Sequence, residues 1–252
     1  MNPDCILCHM RRNVEIVRDL GTPEQLNEFT KGLLELYLRV PEGISAVWTG
    51  PETDELYERI YGITGDRYKE EKEASNRFVV ERLDRIRAEA ETAEDPVYAG
   101  LQLAVLGNYI DFSALGRSVS FEQLEQMLLH PEKFTFDHSG YAAFCADIEK
   151  AHSLLYITDN AGELGFDWVL ADELVRRWPQ LKITFCVRGM PAYNDAIRED
   201  YDFMGIPYPV ISNGSDIAGT DLKYVNQETL DALKGSDIIL ANEIRKSTRQ
   251  HL

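Results

Sequence analysis

The chain has 252 residues, 44% apolar and 27% charged, and a formal net charge of −17 from 26 basic and 43 acidic side chains. That length allows one large or two small domains with a substantial core. The acidity argues against nucleic acid and anionic membranes as partners, because the charge that would neutralise phosphates is missing.

No run of about 18 apolar residues could span a bilayer. The start, Met1-Asn2-Pro3-Asp4-Cys5, has no basic-then-apolar leader, so the expected location is cytoplasmic. Residues from about Met10 to His130 read mainly as helices. Thr22 is the expected N-cap before Pro23 at the first helical position. Leu26, Phe29, Leu33, Leu36 and Tyr37 follow at helical spacing, and Pro41-Glu42-Gly43 ends that helix. A charged stretch from Tyr68 to Glu94 carries Phe78, Val79, Leu83 and Ile86 as its apolar stripe, and its lysines, arginines and glutamates are expected to form a solvated face. Asp95-Pro96 opens the next helix, through Leu101, Leu103, Ala104 and Leu106. Gly107-Asn108 at its end suits an ordinary C-terminal cap as well as a place at a cleft.

The pattern changes after Phe136. A helix from Tyr141 to Lys150 leads into the strand Leu154–Ile157, and a helix from Gly165 to Arg177 follows. Lys182–Val187 is the second strand, with a helix expected from Asn194 to Met204; Pro209–Ile211 and Asp237–Leu240 are two more strands. This alternation with short loops is the signature of parallel α/β architecture. The expected division is a mainly helical region, 1–136, and an α/β domain, 137–252. There is no internal repeat. Neither dinucleotide nor P-loop glycine motif is present, and no G-x-S-x-G elbow.

Two polar turns stand at the carboxyl ends of the first two strands, the place where open α/β sheets bind ligands. One is Asp159-Asn160-Ala161-Gly162-Glu163, and the other runs from Arg188-Gly189 to Asn194-Asp195. Asp159, Asn160 and Asp195 offer carboxylate and amide oxygens, which suit Mg, Mn or Ca. The same residue types also suit turns and helix caps. Glu163 is placed to orient a water or to hold a ligand, or to sit as a carboxylate favoured at a helix N-terminus. The Ala161 and Gly162 amides could face a phosphate. Arg188 and Lys72 offer positive charge, although most such side chains are solvated. Cys5-x-x-Cys8 with His9 reads as a redox pair, as half of a zinc site, or as two buried thiols. A haem attachment is not expected, for want of an export signal, and Cys145 and Cys186 are expected in the core.

These motifs resemble the metal-dependent damage-control phosphatase family, formerly a domain of unknown function. The likeness extends to Gly214-Ser215-Asp216, Gly219-Thr220, Tyr68 with Lys72 and Asn76, and Gly107-Asn108-Tyr109-Ile110-Asp111-Phe112. The cysteine pair resembles the prokaryotic branch. The resemblance implies an N-terminal helical region plus a Rossmann-like α/β/α three-layer domain with a mainly parallel sheet. It implies hydrolysis of a small phosphorylated metabolite with a divalent metal (Mn, Co, Ni or Mg). Residue by residue it assigns Asp159, Asn160 and Asp195 to the metal, and Glu163, Asn194 and Asp195 are the expected catalytic residues. Asn108, Asp111, Gly162 and Arg188 are assigned to the substrate. The alternatives are an S-adenosylmethionine-dependent methyltransferase and a non-catalytic metal- or metabolite-binding protein. One departure stands out. The family follows its last matching strand with a Lys-Gly stretch whose lysine approaches the substrate phosphate, whereas this chain has Ala241-Asn242-Glu243-Ile244-Arg245-Lys246. A shortened or altered C-terminal end is the corresponding expectation, with Arg245 or Lys246 as substitutes.

Overall fold

The computed structural model describes residues 3–41, 46–108, 121–128, 130 and 138–241. Asp111, Arg245 and Lys246 lie outside the described residues, so the expectations placed on them go no further here.

The first eight helices are α1 (Pro3–Val17), α2 (Pro23–Arg39), α3 (Gly50–Tyr61), α4 (Lys69–Val80), α5 (Leu83–Glu91), α6 (Pro96–Gly107), α7 (Phe121–Leu128) and α8 (His138–Ile148). Helix α2 starts as its sequence expects. The Thr22 hydroxyl accepts from the Gln25 amide at 3.3 Å, and the Gln25 side chain accepts from the Thr22 amide at 3.0 Å. Each bond satisfies a backbone donor that the first turn leaves open. Asp95 caps α6 in the same manner, accepting from the Tyr98 amide at 3.3 Å. The charged stretch after Tyr68 forms two helices, with the break at Glu81-Arg82. The turn lets Phe78 and Val79 of α4 and Leu83 and Ile86 of α5 all enter one core.

Among the described residues, four strands form one parallel sheet in the order β3-β2-β1-β4, with β1 (Ser153–Ile157), β2 (Lys182–Val187), β3 (Val210–Ser212) and β4 (Ile238–Ala241). The connecting helices are α9 (Leu164–Arg177), α10 (Arg198–Met204) and α11 (Gln227–Gly235). The chain steps outward from β1 through β2 to β3, then returns to lay β4 on the other side of β1. That is the strand order of a Rossmann-like half, and it bears out the mixed helical and parallel α/β architecture.

Side chains at alternate strand positions face the larger core. Tyr156 and Phe185, paired in register, stack with centroids 4.9 Å apart. They meet α9, and α6 lies along α9 in turn. A second apolar cluster, built on Val17, Phe29, Leu33, Tyr37, Tyr57 and Ile60, unites α1, α2 and α3. Helices α4 to α6 therefore share their core with the sheet, so that core crosses position 136. The division there stays a proposal about folding units.

Helix α10 begins at Arg198 instead of Asn194. Residues before it are drawn into isolated bridges, Asn160 with Asp195 and Arg188 with Ile197. Asp200 then caps the helix by accepting from the Ile197 amide at 3.1 Å. Among the described residues no helix is long and apolar enough to cross a membrane.

Candidate functional site

The turns after β1 and β2 are zipped together by backbone bonds. The Ala196 amide donates to the Asp159 carbonyl at 2.7 Å, and the Ala161 amide donates to the Asn194 carbonyl at 3.0 Å. Parallel strands end side by side, so these bonds place Asp159, Asn160 and Asp195 next to one another, as the sequence pattern expects. They also occupy the Ala161 amide, which leaves Gly162 of that pair for any role toward phosphate.

Arg188, the first residue beyond β2, ties the carboxylates together. Its Nε donates to Asp195 at 2.5 Å, its Nη2 lies 3.7 Å from Asp159, and its Nη1 donates to the Thr220 hydroxyl at 3.0 Å. Burial works against the guanidinium charge. The Asp195 carboxylate and its hydrogen bond, with Asp159 behind them, outweigh that and hold the Arg188 pKa above its ordinary value. Asp195 also accepts from the Gly219 amide at 3.2 Å. The Asp195 side chain is 8% exposed and that of Asp159 is 23% exposed, so the site opens to solvent at Asp159.

Asn160 Nδ2 donates to Asp159 at 3.3 Å and to Glu163. Glu163 is wholly buried in the short 3₁₀ turn Ala161–Glu163 that precedes α9. Of the two roles read for it, that contact favours holding the Asn160 amide over reaching a water. Beneath it, the Tyr156 hydroxyl donates to Asp167 at 2.7 Å. Burial first, then the Asp167 charge, raises the Tyr156 pKa.

The loop after β3 packs onto the same place. The Asn213 side-chain Oδ1 accepts from the Gly189 amide and from the Ser215 amide, each at 2.9 Å. A Cβ on Gly189 would come within 2.4 Å of the Gly214 backbone, so only glycine allows this approach. Asn213 adjoins the Gly214-Ser215-Asp216 motif but carried no signal of its own. Its function is loop joining, and it became visible only in the fold.

Asn108 ends α6, which packs on the Ala161–Glu163 turn, and its side chain donates back to the Ala104 carbonyl at 3.4 Å. Lys72 departs from the expected solvated face. It is buried, with Nζ 2.9 Å from Asp66 and 2.8 Å from Asp200. Asn76 donates to the same Asp200 at 2.8 Å. The Lys72 charge is thus already met by two carboxylates. Cys145 is half-buried and Cys186 buried, as expected, but Cys5 and Cys8 are exposed, so the reading of two buried thiols is corrected. Helix α1 begins at Pro3 and turns its other side to the apolar cluster, which leaves the pair at the surface. Among the described residues no group of three His, Cys, Asp or Glu side chains is placed to hold a metal.

The oxygen set comprises two carboxylates and one amide. Its fit to a hard divalent cation rests on donor chemistry. Two carboxylates already share one cationic group, Arg188, at an opening to solvent, and carboxylate and amide oxygens are the donors that hard cations prefer. For its part Asn160 presents N–H groups to carboxylates as drawn, and rotation of its amide would turn Oδ1 to the same place.

A cluster of which sequence reasoning named only His9 and Tyr68 borders this site. Tyr193 has φ 52°, in the left-handed region that a bulky residue seldom adopts. Its ring lies 6.1 Å from the His9 ring and 6.0 Å from the Tyr68 ring, with the Arg12 guanidinium carbon 5.0 Å from its centroid. Nothing in the local pattern of α1 marks Arg12 as different from Arg11 beside it.

The family model of the damage-control phosphatase ARMT1-like domain matches residues 1–242. An uncharacterized protein of Methanocaldococcus jannaschii is 30% identical over 96% of this chain and 80% of its own length. The damage-control phosphatase PH1575 of Pyrococcus horikoshii is 35% identical over 56% of this chain and 48% of its own length. A damage-control phosphatase of Archaeoglobus fulgidus is 29% identical over 74% of this chain and 65% of its own length. The two matches that carry a phosphatase name thus span about half to two thirds of those relatives. Among solved structures, the crystal structure of the Pyrococcus horikoshii protein aligns with a TM-score of 0.80 at 26% identity, over 96% of this chain and 83% of that one.

Proposed function

We propose that this chain, which belongs to the damage-control phosphatase ARMT1-like family, hydrolyses the phosphate ester of a small metabolite with the help of a divalent metal. The observation that carries the reading is the convergence of Asp159, Asn160 and Asp195 at the ends of two adjacent parallel strands, with Arg188 binding both carboxylates. The names of the relatives favour hydrolysis over methyl transfer. The acidic surface keeps nucleic acids out of consideration as substrates, and the cytoplasm is the proposed location.

Asp159, Asn160 and Asp195 would hold the metal. When bound, it supplies positive charge to the phosphoryl oxygens and activation to the attacking water. The rest falls to the chain's own groups. Glu163 fixes the Asn160 amide. Arg188 and the Gly219 amide fix Asp195, so the ligand geometry is set before substrate arrives. Asn194 stands beside Asp195 in the same turn, and Gly162 lies in the short turn just before α9. Asn108 closes the side toward α6.

The test is phosphate release from a panel of sugar phosphates and damaged phosphometabolites, with Mg, Mn, Co and Ni each supplied. We expect turnover that a chelator abolishes and that returns with metal. No release from any ester with any of these metals would overturn the reading.

A further inference from the structure

The cations expected to meet a phosphate at this site are engaged elsewhere. Arg188 binds Asp195, and Lys72 lies between Asp66 and Asp200. Arg12 is different. It is half-buried, its guanidinium carbon lies 5.0 Å from the Tyr193 ring centroid and 5.6 Å from that of Tyr68, and its Nη2 donates to the Tyr68 hydroxyl at 3.1 Å. No carboxylate of the described residues pairs with it. A guanidinium has five donors in a planar fork, and the bond to Tyr68 leaves most of that fork open to an oxyanion among the described residues.

The surroundings hold this fork at the site. Tyr193 keeps its left-handed backbone, a costly state for a tyrosine, two residues before Asp195. Tyr68 immediately precedes α4, whose body packs on the Ala161–Glu163 turn. His9, one helical turn before Arg12, has its pKa lowered to about 4 by burial and then by the Arg12 charge.

We propose that Arg12 is a phosphate-recognition residue, its guanidinium stacked on Tyr193 and braced by Tyr68 so that it takes the oxyanion of the substrate at the rim of the Asp159–Asp195 site. This rests on the phosphatase reading for the identity of the anion. Helix α1 thereby belongs to the active site as well as to its own apolar cluster.

The experiment uses the full chain with Arg12→Gln and Arg12→Lys. Titration calorimetry measures the affinity for inorganic phosphate in the presence of Mg, and steady-state kinetics measure KM and kcat on any ester turned over. Loss of a charge-assisted contact predicts an affinity for phosphate about ten- to a hundred-fold weaker in Arg12→Gln, with KM rising by a similar factor and kcat moving less. Arg12→Lys should recover part of the affinity, since it keeps the charge but not the fork. Affinity within about twofold of the parent in folded Arg12→Gln overturns the proposal. If Arg12→Gln does not fold, Arg12→Lys decides: weakened affinity in a folded protein supports the assignment and unchanged affinity overturns it. A parent that binds no phosphate also overturns it, whatever its turnover. A parent that binds phosphate through Arg12 but hydrolyses no ester keeps the assignment and sinks the phosphatase reading instead.

Discussion

Asp159 and Asp195 were legible in the sequence as a pair, because each is an acid at the polar end of an apolar strand. Their unequal surroundings were not, because the partner of each depends on how three loops fold over one another. Asp195 is nearly closed off and bonds Arg188 at 2.5 Å, whereas Asp159 faces the opening and stands 3.7 Å from the same guanidinium. The two alanine variants should therefore differ. Asp159→Ala removes a proposed ligand at a solvated edge, so we expect lost metal-dependent turnover with a melting temperature near that of the parent. Asp195→Ala also strands the buried Arg188 charge, and breaking one side of a buried pair costs about 3–5 kcal/mol. Urea unfolding checks the difference. Equal stability of the two variants would contradict the assigned roles of Arg188, and full turnover by Asp159→Ala would contradict the metal set.

At the scale of elements, the caps and strands announced themselves. Thr22-Pro23 and Asp95-Pro96 put side-chain acceptors and proline where a first helical turn wants them, and β1 and β2 are apolar runs between polar turns. What stayed hidden depends on partners distant in sequence. Lys72 sits in a stretch of alternating charge that reads as solvated, yet α4 presses its Nζ between Asp66 and Asp200, and Asp200 caps α10 while also accepting from Asn76. The start of α10 was misread for the same reason, since the residues before it bridge to the turn after β1. One lysine thus joins the helical layer to the element that positions Asp195. Lys72→Met should leave two carboxylates without their cation and destabilise the protein by about 3–5 kcal/mol. Chemical denaturation reads this directly. A loss below about 1 kcal/mol would place the trio with ordinary surface pairs.

Across the whole molecule, the apolar cluster of α1, α2 and α3 meets the α/β part where His9 and Arg12 cover Tyr193. That contact titrates. The His9 pKa falls from 6.5 to about 4 in the folded chain, through burial first and the Arg12 charge second. Between those two values the unfolded chain takes up a proton that the folded chain refuses, so stability rises with pH in this window. The full contribution of neutral His9 is present above pH 6.5 and is lost as pH falls toward about 4. Partial exposure of the ring tempers the effect, and the drop from pH 7.5 to pH 5 should be about 1–2 kcal/mol. Carboxylates titrate across the same range, so the comparison must be with His9→Gln, which stays neutral throughout. Urea midpoints of parent and variant at both pH values isolate the histidine, and the variant should lose less on acidification. An equal loss in both would mean that acid acts through the carboxylates alone. The predicted difference would mean that the folded chain keeps His9 neutral beside Arg12 down to about pH 4, which ties the acid sensitivity of the fold to the contact between α1 and Tyr193.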